Sequence, residues 1–341
     1  MAINGKPRAT MKDVAALAGV SLKTVSRVVN DESPVSESAR MRVHKAIDQL
    51  DYRHNFAASN LRRRVGRARV LGVLLQDVGN SFSAGLLRGL EDACRESQVA
   101  LLAASLDEEP ERERLLVADL VSRRVDGLVI MPATDHQGYL LPELRAGLPT
   151  VFVDRHPVGV VADSVTVDNF QGGYDAAHHL TTQGHRRIAV ISDLLAIETA
   201  QLRVNGVTAA LRDAGIVPDP DLMHPNVRSA DEASVVMTQL LDLTDPPTAV
   251  IALRNILSIG ALRALRAKAS PRPVALVGFD DFPTADLMDL TVIRQDATAI
   301  GTQAAERVLA RLNGDDTPVR NVIVPHKLVL RGSGEVPLPT N

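Results

Sequence analysis

The stretch TMKDVAALAGVSLKTVSRVV, residues 10–29, decides how the N-terminal part of the chain folds. Thr10 followed by Asp13 has the spacing of a capping box, which predicts a first short helix over residues 11–18. Gly19 is the expected end of that helix because glycine readily adopts the left-handed conformation that terminates helices. The predicted inner face of the helix carries three apolar residues: Val14, Leu17 and Ala18.

Two further helices follow in the sequence. Ser21 can cap a second helix that runs to about Val29, and a third is expected from near Ser36 to about Leu50. Their inner faces are predicted from apolar residues at helical spacing: Val25, Val28 and Val29 in the second helix, and Ala39, Val43, Ile47 and Leu50 in the third. Two short helices joined by a tight turn, with a third supporting them, form a helix-turn-helix.

The charge of the chain is unevenly distributed. The formal net charge of the 341 residues is -3, but residues 1–69 carry 14 Lys and Arg against six Asp and Glu, a net charge of +8, and the remainder carries -11. A small basic head on a larger acidic body is typical of a polyanion-binding module joined to another domain. The alternative is a basic tail without a partner.

The run MKDVAALAGVSLKTVSRVVNDESPVSESARMRVHKAIDQLDYRHNFAASNLRRR, residues 11–64, resembles the DNA-binding head of the lactose/galactose repressor (LacI/GalR) family. The resemblance implies that the second helix lies in the major groove, with Leu22, Lys23 and Arg27 reading bases. It also implies mainly phosphate contacts from Ser21, Thr24 and Ser26, with Thr10 at the same surface. Lys and Arg can donate to guanine, and short hydroxyls suit phosphate. The alternative is an ordinary solvated helix face.

Residues 55–63 form a second segment of interest. Asn55 can cap a short helix that is too short to be stable alone, so it should fold against a partner. By resemblance, paired hinge helices of a dimer enter the minor groove, with Asn55 and Ala58 in contact with DNA and Leu61 wedged into a central base step. The alternative is a linker whose Leu61 packs on the body.

Beyond Val70 the sequence alternates short apolar runs with helix-length amphipathic runs. Strands are predicted at residues 70–75, 99–103, 127–131, 151–153, 164–168, 188–191, 249–253 and 274–277. Helices are predicted at residues 82–96, 111–123, 138–146, 171–182, 201–214, 232–241 and 256–266. This pattern predicts an α/β core of two parallel-sheet lobes, with a ligand site in the cleft between the carboxyl ends of their strands.

Polar and charged residues follow these strands. The runs VFVDRH, VDNFQGGYDAAHHLTTQGHRRIAVI, QLRVNG, LRNILSIGALRAL and VGFDDFPTADLMDLTVIRQD resemble, in matching order, the sugar-binding core of the same family, which is shared with periplasmic sugar-binding proteins. The resemblance implies an effector site made of Asn80, Phe82, Asp154, Arg155, Arg203, Arg254, Asp280 and Gln295. Carboxylates and guanidinium groups at fixed angles suit vicinal hydroxyls.

One departure affects the expected ligand. Arg254-Asn255 stands where the family often has Asn-Asp. Because Arg203, Arg155 and Arg228 are expected near the same mouth of the cleft, one hypothesis is a ligand that carries a carboxylate or phosphate group. The alternatives are that Arg254 pairs with Asp280 or Asp281 and the ligand is a neutral sugar, or that the site has been lost. Trp is absent, so Phe82, Phe282 or an aliphatic side chain would have to stack on a sugar ring.

Composition and motifs exclude several classes. No apolar run approaches the roughly 18 residues of a membrane span, and no secretory signal opens the chain, so a cytoplasmic location is expected. The single cysteine, Cys94, makes no internal disulfide and supports no zinc site. Adjacent His178 and His179 cannot share a helix face, so no metal or cofactor is predicted. Catalytic motifs are absent, and Asp280 and Asp281 should diverge, so no enzyme is predicted.

The sequence thus predicts a DNA-binding transcriptional regulator, most simply a repressor, controlled by a sugar, sugar acid or sugar phosphate and acting as a homodimer on a pseudo-palindromic operator. The alternative is a soluble sugar-binding or enzymatic α/β protein with an incidental basic head. The predicted divisions are a head (9–54), a hinge helix and linker (55–69), and a core (70–333) with an N-lobe (about 70–166 and 297–324) and a C-lobe (about 167–296 and 325–333).

Overall fold

The computed structural model describes residues 9–29, 35–52, 68–268 and 273–338. The chain forms two compact units, divided between Ala68 and Arg69. The first is a small head made of helices, and the second is a larger α/β core. The predicted fold class is confirmed.

The head contains three helices: α1 (Met11–Ala18), α2 (Leu22–Val29) and α3 (Glu37–Gln49). Thr10 and Asp13 form the predicted capping box, in which the Thr10 backbone N–H donates to Asp13 Oδ2 at 2.7 Å. Gly19 ends α1 with φ 60°, a left-handed conformation that costs glycine little. At the start of α2, the Thr24 N–H donates to Ser21 Oγ at 3.1 Å, so Ser21 caps this helix as predicted.

The core of the head differs from the prediction at one position. Leu17 is 50% exposed, whereas Ala15 is buried. Both residues flank the stripe through Val14 and Ala18, and helical spacing alone does not say which flank the other helices cover. The buried apolar residues of the head are Val14, Ala15, Ala18, Val25, Val28, Ala39, Val43 and Ala46, and Ile47 and Leu50 pack partly against the cluster that most of them form.

The second unit consists of two sheets with helices on both faces of each. Its strands are β1 (Val70–Leu75), β2 (Ala100–Ser105), β3 (Gly127–Ile130), β4 (Thr150–Val153), β5 (Asp163–Val167), β6 (Ile188–Ile191), β7 (Met223–His224), β8 (Ala249–Ala252), β9 (Ala275–Phe279), β10 (Thr291–Gln295), β11 (Asn321–Val324) and β12 (His326–Val329). Its helices are α4 (Ser81–Arg95), α5 (Pro110–Ser122), α6 (Leu141–Arg145), α7 (Asn169–Thr182), α8 (Glu198–Asp213), α9 (Ala230–Leu241), α10 (Asn255–Ala267) and α11 (Ala297–Leu312).

The two sheets define the N-lobe and the C-lobe. The N-lobe sheet has the order β11-β5-β4-β3-β1-β2 and is parallel throughout. The C-lobe sheet has the order β12-β10-β9-β8-β6-β7, in which β12 is antiparallel to β10. The chain passes from one sheet to the other at Asp168, Asp296 and Pro325, and the first two cap α7 and α11 through their side chains. The lobes therefore share three connecting segments.

Several elements were not predicted or differ from the prediction. The long helix α11 and strands β7, β10, β11 and β12 were missed, and the helix predicted over residues 138–146 is a 3₁₀ turn (Gly138–Leu140) followed by the short α6. Strand β2 reads as an apolar run but lies at a sheet edge, half-exposed. Edge position depends on strand order, which local sequence does not encode.

Candidate functional site

The predicted base-reading residues lie on the surface of α2, outside the core of the head. Val25 and Val28 are buried against α1 and α3, so the opposite face of α2 points to solvent. On that face Leu22 is 39% exposed, Lys23 is exposed and Arg27 is half-exposed. Two cations beside an apolar side chain on one short helix can contact guanine edges and a thymine methyl.

The predicted phosphate-contacting hydroxyls lie at the same helix start. Ser21 Oγ and Thr24 Oγ1 are 2.9 Å apart, and Ser26 is half-exposed one turn further along α2. Thr10 Oγ1 donates to Asp13 Oδ2 at 2.7 Å at the start of α1. The remaining predicted contacts, Asn55, Ala58 and Leu61, lie outside the described residues.

A single cleft between the two lobes is lined by all eight residues that were predicted to contact an effector. The cleft encloses about 460 Å³, counting its open mouth. The N-lobe contributes Asn80, Phe82, Asp154 and Arg155, and the C-lobe contributes Arg203, Arg254, Asp280 and Gln295. Each lies at or just beyond the carboxyl end of a strand or on the following helix, as the two-lobe α/β arrangement requires.

Asp154 and Asp280 occupy equivalent positions in the two lobes. Asp154 follows β4, Asp280 follows β9, and both have φ 68°, a left-handed conformation that Asp tolerates better than most residues. Burial raises the pKa of Asp154, although Arg155 and Arg203 act in the opposite direction. Gln295 at the end of β10 donates to Asp280. The two carboxylates therefore present acceptors from opposite walls of the cleft.

Arg203 is fixed in the C-lobe wall by the close packing of α7 and α8. Gly173 permits this approach, since a Cβ there would lie 2.1 Å from the Arg203 carbonyl oxygen. Arg203 Nε donates to Asn169 Oδ1 at 2.7 Å, and Nη1 donates to the Leu253 carbonyl at 2.9 Å. The guanidinium carbon lies 3.8 Å from the centroid of the Phe279 ring, a cation–π contact. The side chain is held on three sides, which leaves its orientation little freedom.

Arg203 Nη1 also lies 3.8 Å from Asp280 Oδ2, and the other two arginines of the cleft are each paired with an acid at shorter distance. Arg254 Nη1 lies 2.6 Å from Asp193 Oδ2, so the expectation that Arg254 pairs with Asp280 or Asp281 is wrong. Arg155 makes two hydrogen bonds to Glu108, one of them at 2.8 Å, and a third to the carbonyl of Pro132. Opposite charges within the walls therefore neutralise much of the positive charge that the sequence places at this mouth.

Two sets of hydrogen bonds join the lobes across the cleft. Asn80 in the N-lobe pairs with Asn255 in the C-lobe through their side-chain amides. His156 Nδ1 lies 2.8 Å from Glu198 Oε1, and the His156 N–H donates to Glu198 Oε2 at 2.9 Å. The hydrogen bond with Glu198 raises the pKa of His156 against the effect of burial. The lobes are thus in direct contact at two places.

Both the head and the core of the chain match families of known proteins. Residues 10–55 match the family of bacterial regulatory proteins of the lacI type, and residues 68–331 match the periplasmic binding proteins and sugar-binding domain of the LacI family. The chain belongs to the LacI family. Its predicted assignment to that family of transcriptional regulators is confirmed.

Relatives and solved structures cover this LacI-family chain along most of its length. The HTH-type transcriptional regulator PtxS of Pseudomonas aeruginosa is 34% identical over 332 residues, 96% of both chains. The HTH-type transcriptional repressor PurR of Vibrio atlanticus is 30% identical, covering 90% of this chain and 93% of its own. A lac repressor dimer bound to operator and the anti-inducer ONPF is 27% identical, covers 96% of this chain and 99% of its own, and superposes with a TM-score of 0.85.

Some expectations about the cleft of this LacI-family protein are wrong. Arg228 is exposed and does not line the cleft, and Phe282 packs partly into the C-lobe core. Asp281 turns away from Asp280 and makes two hydrogen bonds to Arg331, at 2.8 and 2.7 Å, so the two acids diverge as predicted. Among aromatic side chains, only Phe82 lines the cleft in the described part of the chain.

Sequence reasoning omitted several cleft residues from the predicted effector contacts. Asp193 and Asn255 line the cleft without having been predicted to contact the effector. Glu108 does not line the cleft but pairs with Arg155, and it carried no signal because it lies in a run of acids after β2. The other lining residues without a prior prediction are Gln76, Met131, Ile197, Thr199, Ala200 and Leu253. In the described residues no cluster of His, Cys, Asp and Glu could hold a metal ion, and no helix is long and apolar enough to cross a membrane.

Proposed function

We propose that this regulator binds operator DNA through the exposed face of α2 and that its cleft binds a polyhydroxylated effector of the sugar class. The observation that supports this most strongly is the convergence of eight predicted residues, drawn from both lobes, on one cleft in a chain that also carries a helix-turn-helix. A site built from two lobes responds to ligand by changing how the lobes are arranged.

On the DNA side, the proposed roles follow from side-chain chemistry. Lys23 and Arg27 donate to guanine O6 and N7, while Leu22 contacts a thymine methyl. Ser21 and Thr24, at the N-terminus of α2, bind phosphate together with the backbone N–H groups there. The segment at 55–69 acts as a hinge whose Leu61 enters the minor groove, with Asn55 and Ala58 beside it.

On the effector side, the walls alternate acceptors and donors. Asp154 and Asp280 accept hydrogen bonds from hydroxyl groups, and Arg203, Asn80 and Gln295 can donate to hydroxyl oxygens. Phe82 supplies one apolar surface for a sugar ring. A polyol satisfies both kinds of group at once, which an apolar ligand of the same size does not.

The assembly proposed is a homodimer on a pseudo-palindromic operator, because two identical heads related by a two-fold axis match two inverted half-sites. Effector and operator then influence each other reciprocally, and a coupling free energy of about 1 to 3 kcal/mol changes operator affinity about 5- to 150-fold. Because operator DNA of bacterial regulatory proteins lies in the cytoplasm, the proposed site of action is the cytoplasm.

The proposal is tested by selecting binding sites for the full-length chain from random duplex DNA. Enriched sequences should be inverted repeats, and affinity should fall steeply as salt rises because bound phosphates release counterions. A panel of sugars and polyols is then screened by thermal shift and by its effect on operator affinity. Enriched sites without two-fold symmetry would contradict the dimer, and the absence of any salt dependence would contradict DNA binding by the basic head.

A further inference from the structure

Asp193 and Arg254 form an ion pair that belongs to the cleft wall. Strands β6 and β8 are parallel neighbours with Ile191 in register with Ala252, so the residues two positions further along face each other. Arg254 Nη1 and Asp193 Oδ2 are 2.6 Å apart, and the side chains are 15% and 12% exposed. Both residues line the cleft. The carboxylate thus occupies one of the N–H donor positions of an arginine that lines the cleft.

We propose that Asp193 is a specificity-determining residue that blocks the anion-binding edge of Arg254 and restricts the cleft to neutral polyhydroxylated effectors. This inference rests on the proposed function of the cleft and narrows its ligand class. A free Arg beside the ligand would select sugar acids or sugar phosphates, since guanidinium binds carboxylate and phosphate with two parallel hydrogen bonds. With Asp193 in place, the same Arg offers its remaining N–H groups to hydroxyl oxygens.

The Asp193 carboxylate is itself held in position. Its Oδ1 accepts a hydrogen bond from the Leu194 N–H at 2.8 Å, and its Oδ2 faces Arg254. The Asp193 carbonyl accepts from the Asn226 N–H at 3.1 Å, which fixes the backbone as well. A tethered, oriented acid competes at a high effective concentration, so a free ligand carboxylate displaces it only at a large cost.

The rest of the cleft does not supply another open site for an anion. The charged lining consists of three arginines, at 155, 203 and 254, and three aspartates, at 154, 193 and 280. Arg155 is paired with Glu108, and Arg203 Nη1 lies 3.8 Å from Asp280 Oδ2 while the same guanidinium donates to Asn169 and the Leu253 carbonyl. An additional ligand charge of -1 would therefore have no unpaired cation to meet, and burying it would be unfavourable.

Inorganic phosphate is the probe that tests this directly on the full-length chain. Binding is measured by isothermal titration and by thermal shift, with chloride at matched ionic strength as the reference, for wild type, Asp193→Asn, Arg254→Gln and the double variant Asp193→Asn/Arg254→Gln. We expect wild type and the double variant to bind phosphate equally, through the phosphate-contacting face of the head that all the proteins share, with no additional binding in the cleft. Asp193→Asn should bind it at least about tenfold more tightly than wild type.

Two results would overturn the proposal. One is phosphate affinity in Asp193→Asn equal to that of wild type, and the other is phosphate binding by wild type that Arg254→Gln abolishes. Because Asp193→Asn leaves Arg254 without its partner, the variant is expected to be less stable, and phosphate should then raise its Tm. A Tm of Asp193→Asn that phosphate leaves unchanged is the first of these two results, measured by thermal shift.

A second experiment distinguishes failure of this inference from failure of the proposed effector function on which it rests. Neutral sugars and their aldonate and phosphate derivatives are screened against the same proteins by thermal shift. Stabilisation of wild type by a neutral sugar supports the proposed effector cleft, whatever phosphate does. If no sugar binds any of the proteins but phosphate binds Asp193→Asn more tightly than the others, the sugar-class effector is contradicted while the block of Arg254 by Asp193 stands.

Discussion

The side chains of Asn80 and Asn255 exchange hydrogen bonds across the cleft. Asn80 Nδ2 donates to Asn255 Oδ1 at 3.2 Å, and Asn255 Nδ2 donates to Asn80 Oδ1 at 3.0 Å and lies 3.1 Å from Ser81 Oγ. The pair lies at the starts of α4 and α10, one in each lobe. Because both partners are neutral amides, this contact between the lobes is independent of pH.

We predict that Asn255→Asp weakens contact between the lobes. An Asp at this position would remove the donor to Asn80 and Ser81 and set two acceptors facing each other. Loss of these bonds costs about 1 to 2 kcal/mol. Small-angle scattering of the ligand-free protein should show a larger radius of gyration. Asn205→Asp, which keeps its role as an acceptor from Gln201 on the exposed side of α8, is the control and should leave the radius unchanged.

The contribution of His156 to stability should depend on pH. Its pKa is raised, first by the hydrogen bond with Glu198, so the stabilisation is present in full below about pH 6.5 and is lost as pH rises through the folded-state value. The pKa of Glu198 is lowered, since its hydrogen bonds from His156 outweigh the effect of burial, so the contribution also fades at the acidic end, below about pH 4.5.

The test compares Tm of wild type and His156→Gln at pH 5.5 and pH 8.5, about a unit below and two units above the reference value for histidine. The Tm of wild type should exceed the Tm of His156→Gln by more at pH 5.5 than at pH 8.5. Asn321 Nδ2 lies 2.9 Å from His156 Nε2, so protonation of His156 at Nε2 requires the Asn321 amide to turn its oxygen toward the ring. The hydroxyls of Ser164 and Thr166, which contact the Asn321 amide oxygen, allow this turn because a hydroxyl can accept as well as donate. His178→Gln, at an exposed position of α7, is the control; an equal Tm difference at both pH values would contradict the prediction.

Lys23→Ala and Arg27→Ala should each weaken operator binding by about 1 to 3 kcal/mol and relax the base preference at one position of the half-site. The physical reason is the loss of a donor to a base edge, which random DNA does not exploit. Fluorescence anisotropy against selected and random duplexes measures both effects. Lys45→Ala, on the exposed side of α3, serves as the control. Equal losses on both duplexes would show phosphate contact instead of base reading.

Arg203→Ala should abolish the effect of the effector on operator affinity and leave ligand-free operator binding unchanged. Arg203 is buried in the cleft wall and stacks on Phe279, so its loss removes a positioned donor and opens the wall. The measurement is an operator titration with and without the sugar identified by the screen. Arg212→Ala, on the exposed face of the same helix, is the control. A normal response in Arg203→Ala would place the effector site elsewhere.

Asp163→Asn should destabilise the core by about 3 kcal/mol, because it leaves two arginines with an incomplete partner in a buried site. Asp163 is 2% exposed and lies 3.0 Å from Arg307 Nη2 and 2.7 Å from Arg311 Nε. Burial alone would raise the pKa of Asp163, but the hydrogen bonds from these arginines and from the Arg320 N–H have the larger effect, so the pKa is lowered. Urea unfolding measures the loss. Asp92→Asn breaks exposed pairs with Arg88 and Arg95 and should cost less than about 1 kcal/mol.

Local sequence determined the helix caps, the turns and most of the strands, since these depend on residues close together in the chain. The capping box at Thr10, the turn at Gly19 and most strands of the core were predictable because caps, glycine turns and apolar periodicity act over a few residues. The cleft residues were predictable because parallel strands place their carboxyl ends at one edge, and the family resemblance selected among the residues there. The helix α11 was missed although its pattern is local.

The tertiary structure alone decided how those residues are paired. Arg254 follows β8, which has β9 on one side and β6 on the other, so both Asp280 and Asp193 were within reach of a guanidinium. Gln295 binds Asp280, and Arg254 binds Asp193. Strand order and competition between side chains settle such choices. A pairing between residues 61 positions apart leaves no periodic signal in the chain, because it is selected by distance in space.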